Sequence, residues 1–223
     1  MTKHRSQLEC DAVLFDLDGV LIDSTSCIVR HWKDWADQHS LEIDEIMQAA
    51  HGIPTIDTIR MVAPYLDADK EAEQFTAKEV SDTAGVFTIV GAHQILEGLP
   101  EGTWAIVTSG SSALARARMT QAELPIPKIL VTADDVQHGK PAPEPYLVGA
   151  KLLGTSVEKC VVVEDAPAGV EAGVKAGMRV IGISSTHKHE VLLEIGADLV
   201  VDRLTDLNIR AIGNGYRLGI QID

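Results

Sequence analysis

From about Gly91 onward the chain alternates short apolar runs with stretches of helical spacing, and no other feature limits its fold as strongly. The runs are Trp104–Thr108, Ile129–Thr132, Cys160–Val163, Met178–Ile183 and Asp198–Val201, each of strand length. Between them, Ser111–Met119, Glu144–Leu153, Pro167–Ala176 and His189–Glu194 read as helices, the third opening on proline. Strands alternating with helices predict βαβ units and a parallel sheet. One further apolar strand, Ala12–Leu17, stands far upstream.

The stretch between that strand and the alternating region has a different texture. From about Ser24 to Thr83 no strand is evident. Ile28, Trp32, Trp35 and Ala36, then Ile43, Ile46, Met47 and Ala50, recur at helical spacing, and further helices are expected across Thr55–Tyr65 and Lys70–Asp82. The expected architecture is α/β: a parallel-sheet core made of residues 1–22 and 88–223, interrupted by a helical insert over 23–87. Asn208–Ile212 and Tyr216–Ile222, flanking Gly213-Asn214-Gly215, are expected to form a hairpin.

In an open parallel sheet, ligands bind at the carboxyl ends of the strands. The first strand ends in Asp16-Leu17-Asp18-Gly19, the next in Thr108-Ser109-Gly110, and the fourth in Glu164-Asp165; Lys140 follows the third in Gly139-Lys140-Pro141. Taken singly, each piece has an ordinary explanation as a turn, a helix cap or a surface lysine. Taken together, four carboxylates at one rim would repel one another and raise their pKa values. A divalent cation and a lysine resolve that conflict, and hard oxygen ligands without His or Cys favour Mg²⁺. Such a set suits phosphoryl transfer. Thr108, Lys140 and backbone N–H groups would bind phosphoryl oxygens, one Asp would attack phosphorus, and the other would handle the leaving-group proton.

Composition bears on the partner. The chain carries 33 acidic against 19 basic residues, a formal net charge of −14, which disfavours nucleic acid and anionic membranes as partners. A small phosphorylated metabolite would have to be held locally against that field. Cys10, Cys27 and Cys160 are irregularly spaced and read as free thiols of a reducing compartment. The N-terminal apolar stretch is short and broken by Asp16 and Asp18, so neither a secretion signal nor a membrane span is expected, and a cytoplasmic location is. The sequence does not indicate an oligomeric state.

These residues, in this order, resemble the haloacid dehalogenase-like phosphohydrolases. Phe15-Asp16-Leu17-Asp18-Gly19-Val20 is similar to the family's first motif, and Val107-Thr108-Ser109-Gly110 to its second. Lys140 with Pro141 and Pro143 is similar to the third, and Val163-Glu164-Asp165-Ala166-Pro167-Ala168-Gly169 to the fourth. Trp104–Gly110 and Gly139–Tyr146 point toward the sugar-phosphate and glycerol-phosphate phosphatase branch. The resemblance implies a Rossmann-like core with helices on both faces and an inserted helical cap. It implies Asp16 as nucleophile and metal ligand, and Asp18 as acid/base that lends its backbone carbonyl to the metal. Thr108 and Lys140 would hold phosphate with the backbone N–H of Ser109. Asp165 would complete the Mg²⁺ site, with Glu164 binding directly or through water, and a cap loop near His51-Gly52 would meet the leaving group.

The same core machinery serves phosphomutases, which in the hexose type need a basic cap residue for a second phosphate. The loop His51-Gly52-Ile53-Pro54-Thr55 has none, although Arg60 is near in sequence. A metal-free dehalogenase would leave Asp18, Glu164 and Asp165 without purpose. A phosphorylated switch would be undermined by Asp18, which would hasten the hydrolysis a switch must delay. A phosphatase of sugar or polyol phosphates is therefore the expected activity.

Overall fold

The computed structural model describes residues 7–50, 53–213 and 217–222. The chain opens with strands β1 (Gln7–Cys10), β2 (Ala12–Phe15) and the two-residue β3 (Ile22–Asp23). Four helices follow: α1 (Thr25–His39), α2 (Ile43–Ala50), α3 (Thr55–Val62) and α4 (Ala68–Ser81). After the short β4 (Phe87–Thr88) come α5 (Ala92–Gly98), β5 (Trp104–Val107), α6 (Ser112–Gln121), β6 (Leu130–Val131) and α7 (Glu144–Leu153). The rest is β7 (Cys160–Glu164), α8 (Pro167–Lys175), β8 (Arg179–Ile183), α9 (His189–Ile195), β9 (Leu199–Val201), β10 (Leu207–Ile212) and β11 (Arg217–Ile222).

Six strands form one parallel sheet in the order β6-β5-β2-β7-β8-β9. Its strands are nearly continuous apolar runs because both faces are covered. Alternate residues of one strand serve opposite layers: Val13 and Phe15 join the layer containing Ala115 and Met119 of α6, while Ala12 and Leu14 join the layer containing Tyr146 of α7, Val170 of α8 and Leu192 of α9. The fold is thus α/β with helices on both faces, as the alternation predicted. Successive strands build outward from β2 through β5 to β6, then return to β7 and build the other way, so the strand order reverses between β2 and β7. That crevice is where an open sheet binds ligands.

Helices α1 to α4 carry an apolar core of their own, in which Trp32 stacks on Phe75 at 4.2 Å between centroids and meets Trp35 edge-on at 5.5 Å. The antiparallel pair of β3 and β4 closes the base of this insert where the chain leaves and re-enters the core.

The C-terminal hairpin is present, with Ile212 opposite Arg217. It does not stand alone. β11 also pairs with β1, making a three-stranded sheet β1-β11-β10, and β10 packs against α5. Neither β1, the pair β3–β4 nor α5 was expected from the sequence; each is short, and β1 and α5 are held by distant β11 and β10.

Candidate active site

The loop after β2 delivers Asp16, and the end of β7 delivers Glu164 and Asp165, directly beside the crevice. All three are buried, and one carboxylate oxygen from each lies within 4.8 Å of the others. Two glycines make this packing possible. A methyl on Gly19, whose φ is +85°, would sit 2.0 Å from Asp165 Oδ2, and a methyl on Gly169 would sit 1.8 Å from Glu164 Oε1.

Lys140 lies beneath this cluster rather than at the surface, 3% exposed. Its Nζ donates to Asp16 Oδ1 at 2.5 Å, to Glu164 Oε1 at 2.6 Å and to the Val107 carbonyl at 3.1 Å. All three ammonium protons therefore have acceptors, and the partner of Lys140 here is the Asp16 carboxylate itself. Glu164 is equally engaged. Its Oε1 also receives the Tyr146 hydroxyl at 2.8 Å, and its Oε2 receives the backbone N–H groups of Asp165 and Ala166 at 3.0 and 3.2 Å. Asp165 Oδ2 accepts from the hydroxyl of Thr186, and the hydroxyl of Ser185 donates to the Gly19 carbonyl at 2.7 Å.

The electrostatics follow from this crowding. Burial drives the Asp16 pKa well up, Lys140 opposes the rise, and Glu164 and Asp165 add to it. Asp165 is pushed up to about 8 by burial and by Glu164. Burial alone would lower the Lys140 pKa, but Asp16 and Glu164 outweigh it and hold the lysine above its ordinary value. When ionised, three buried carboxylates facing one ammonium make a net anionic site, and the raised pKa values of Asp16 and Asp165 express the missing counter-charge. An all-oxygen donor set of that charge fits a hard divalent cation.

Asp18 stands apart from the three. Its Oδ1 accepts from Ser24 Oγ at 2.5 Å and from Arg118 Nη1 at 2.8 Å. Arg118, on α6 and 4% exposed, also donates through Nη2 to Glu79 Oε1 of α4 at 2.6 Å. Burial raises the Glu79 pKa to about 7, although Arg118 works against the rise. Thr108 caps its own turn by accepting from the Gly110 N–H at 3.1 Å.

Above these groups is a cleft of about 900 Å³, counting the space open to solvent, between the sheet edge and the helical insert. Asp16, Asp18, Thr108, Ser109, Glu164 and Asp165 face it from below; Ile28, Trp32, Met47 and Ile53 face it from the insert, with Glu79 and Arg118 on its wall. Arg60 is not among the lining residues; half exposed, it pairs with Asp57 at 3.2 Å. His51 and Gly52 lie outside the described residues.

The geometry thus gathers Asp16, Lys140, Glu164 and Asp165 into one cluster and places Asp18, Thr108 and Ser109 on the same cleft. Sequence reasoning missed Tyr146, Thr186, Ser24, Glu79 and Arg118. Only Tyr146 carried any signal, as an isolated tyrosine on the inward face of a helix that follows Lys140.

A family model described as haloacid dehalogenase-like hydrolase matches residues 13–183, a span that includes every residue of the cluster. The chain belongs to that family. Hexitol phosphatase A of Escherichia coli (strain K12) is 42% identical over 214 residues, covering 93% of this chain and 98% of that protein. Glycerol-1-phosphate phosphohydrolase 2 of Saccharomyces cerevisiae is 35% identical, covering 90% of this chain and 85% of its own length. Among solved structures, a hydrolase from Pseudomonas syringae superposes with a TM-score of 0.78 at 28% identity, covering 88% of this chain and 95% of that one. A candidate beta-phosphoglucomutase from Bacteroides vulgatus gives 0.73 at 33%, covering 87% and 84%. This haloacid dehalogenase-like hydrolase has its catalytic candidates in the core, with the helical insert across the cleft from them. Among the described residues no helix is long and apolar enough to cross a membrane.

Proposed function

We propose that this protein is a Mg²⁺-dependent phosphatase of small phosphate monoesters, sugar or polyol phosphates, that works through an aspartyl-phosphate on Asp16. The observation that carries the reading is the buried cluster of Asp16, Glu164 and Asp165, with Lys140 donating to the first two and Asp18 held outside it on the same cleft. A carboxylate braced by a lysine at the cleft floor is placed to attack; a separate carboxyl two residues on is placed to move a proton.

In this mechanism Asp16 attacks phosphorus while Asp18 gives its proton to the departing alkoxide, so the alcohol leaves neutral and the phosphoryl group stays on Asp16. Asp18, now ionised, takes a proton from water as that water attacks phosphorus; inorganic phosphate leaves and Asp16 is regenerated. Thr108 and the backbone N–H of Ser109 hold phosphoryl oxygens, and Lys140 keeps Asp16 oriented while its charge acts on the phosphoryl group from beneath the carboxylates. Asp16 and Asp165, with the Asp18 carbonyl, would hold the metal, and Glu164, whose oxygens already accept from protein donors, would reach it through water. When bound, the cation offsets the anionic repulsion between carboxylate and phosphate and polarises phosphorus.

The helical segment 23–87 would act as a cap that excludes water and selects the leaving group, with His51 and Gly52 meeting the substrate. The relatives named for hexitol and glycerol phosphates support a polyol or sugar leaving group. A mutase would need a free cation for a second phosphate. Arg60 pairs with Asp57 and does not line the cleft, and both terminal nitrogens of Arg118 are already engaged, by Asp18 and Glu79. Three buried cysteines without disulfides fit the cytoplasm as the working compartment.

The test is a phosphate-release screen over sugar, polyol and short-acid phosphates, with Asp16→Asn as the blank. Multiple turnovers with the wild type and none with Asp16→Asn are expected. Stoichiometric phosphorylation without turnover, isomerised product without free phosphate, or equal release by the Asp16→Asn protein would each defeat the proposal.

A further inference from the structure

Arg118 stands outside every motif, yet its guanidinium bridges the proposed acid/base and the helical insert. One side donates to Asp18 Oδ1 and the other to Glu79 Oε1, across an interface between α6 of the core and α4 of the insert. The side chains of Arg118 and Glu79 are 5% and 4% exposed, so this is a buried pair and not a surface contact that solvent would dilute.

Two details argue for more than packing. First, Arg118 Nε is buried without a partner, the one such side-chain atom among the described residues. An unpaired buried donor is destabilising, a penalty expected where a geometry serves something other than stability. Second, Ser24 occupies the position preceding α1, where a serine hydroxyl ordinarily caps the helix, and makes no such cap; it donates to Asp18 Oδ1 instead. Both donors to Asp18 thus converge on one oxygen, and both are anchored to the insert, Ser24 by sequence at its entry and Arg118 through Glu79.

We infer that Arg118, braced by Glu79, is a positioning residue that fixes the rotamer of Asp18, engaging Oδ1 so that Oδ2 faces the leaving-group oxygen. The inference rests on the phosphatase reading. It adds that the orientation of the acid is set by the seating of α4 against α6. Asp18 would be aligned when Glu79 holds Arg118 and released to other rotamers when the insert lifts.

The chemistry supplies a readout that packing alone would not move. Protonation by Asp18 matters most for a basic leaving group and little for one that departs readily as an anion. The experiment compares kcat/KM, which reports only steps up to leaving-group departure, for phenyl phosphate and p-nitrophenyl phosphate, two esters of similar size, with glycerol phosphate as the alkyl case. Variants are Arg118→Met and the gentler Arg118→Lys, which keeps the charge but loses the planar two-sided fork that donates to both carboxylates.

The expected result is a fall of about tenfold or more for phenyl and glycerol phosphates with p-nitrophenyl phosphate within about threefold, in both variants. Equal losses on all esters, or no loss on any, would overturn the positioning role. If Arg118→Met does not fold, Arg118→Lys decides alone. Failure of the wild type to release phosphate from any of the three would overturn the phosphatase reading and this inference with it, whereas a working wild type with parallel losses overturns the inference only.

Discussion

Replacing Lys140 by Met removes the one positive charge buried among Asp16 and Glu164 while keeping an unbranched side chain of similar length. Two carboxylates, 2.5 and 2.6 Å from Nζ, lose their shared counter-charge, and the Val107 carbonyl loses a donor at 3.1 Å. Removing one partner of a buried ion pair costs about 3–5 kcal/mol, because the partner left behind stays desolvated. That is a large part of the roughly 5–15 kcal/mol that stabilises a typical domain. The cost depends on pH. The Asp16 pKa is already raised by burial, and the variant loses the charge that opposes the rise. A carboxyl whose folded pKa lies above its unfolded value contributes stability that is present at low pH and lost as pH rises through the folded value. The deficit of Lys140→Met relative to wild type should therefore be small near pH 4 and grow toward pH 8. Urea unfolding followed by circular dichroism, with EDTA present to exclude metal effects, measures it at each pH. A deficit below about 1 kcal/mol at pH 8, or one that shrinks as pH rises, would refute the account of Lys140 as the buried counter-charge.

Asp18→Asn should lower turnover by about 10²–10⁴ while inorganic phosphate still binds; undiminished phosphate release would remove Asp18 from its role. Gly169→Ala should displace Glu164, since the new methyl would lie 1.8 Å from Oε1, and lower stability by about 1–3 kcal/mol. Gly98→Ala, with open space around it at the end of α5, is the matched control and should be neutral or slightly stabilising. Equal thermal shifts for the two would contradict the packing argument. Mg²⁺ should raise the melting temperature more at pH 9 than at pH 6. Asp165, with a pKa near 8, carries a proton at the lower pH that the cation must displace. A pH-independent shift would show that Asp165 is not part of the metal site.

Much of the core was readable from the sequence, because a strand buried on both faces must be a continuous apolar run and a helix must repeat near 3.6 residues. The strand ends then put Asp16, Thr108, Lys140, Glu164 and Asp165 at one edge as a matter of topology. What the sequence could not determine was which way those side chains turn and what meets them. Arg118 and Asp18 are 100 positions apart, Glu79 and Arg118 39, and Lys140 and Asp16 124. An arginine on a short polar helix looks like a solvated surface residue until another element buries it. Likewise nothing in the sequence marks Ser24 as a partner of Asp18, and Gln7–Cys10 is a strand because β11 pairs with it. Local pattern encodes the elements and their ends; long-range packing alone decides which charges share a desolvated space, and that sharing separates Asp18, on its arginine, from the carboxylates around Lys140.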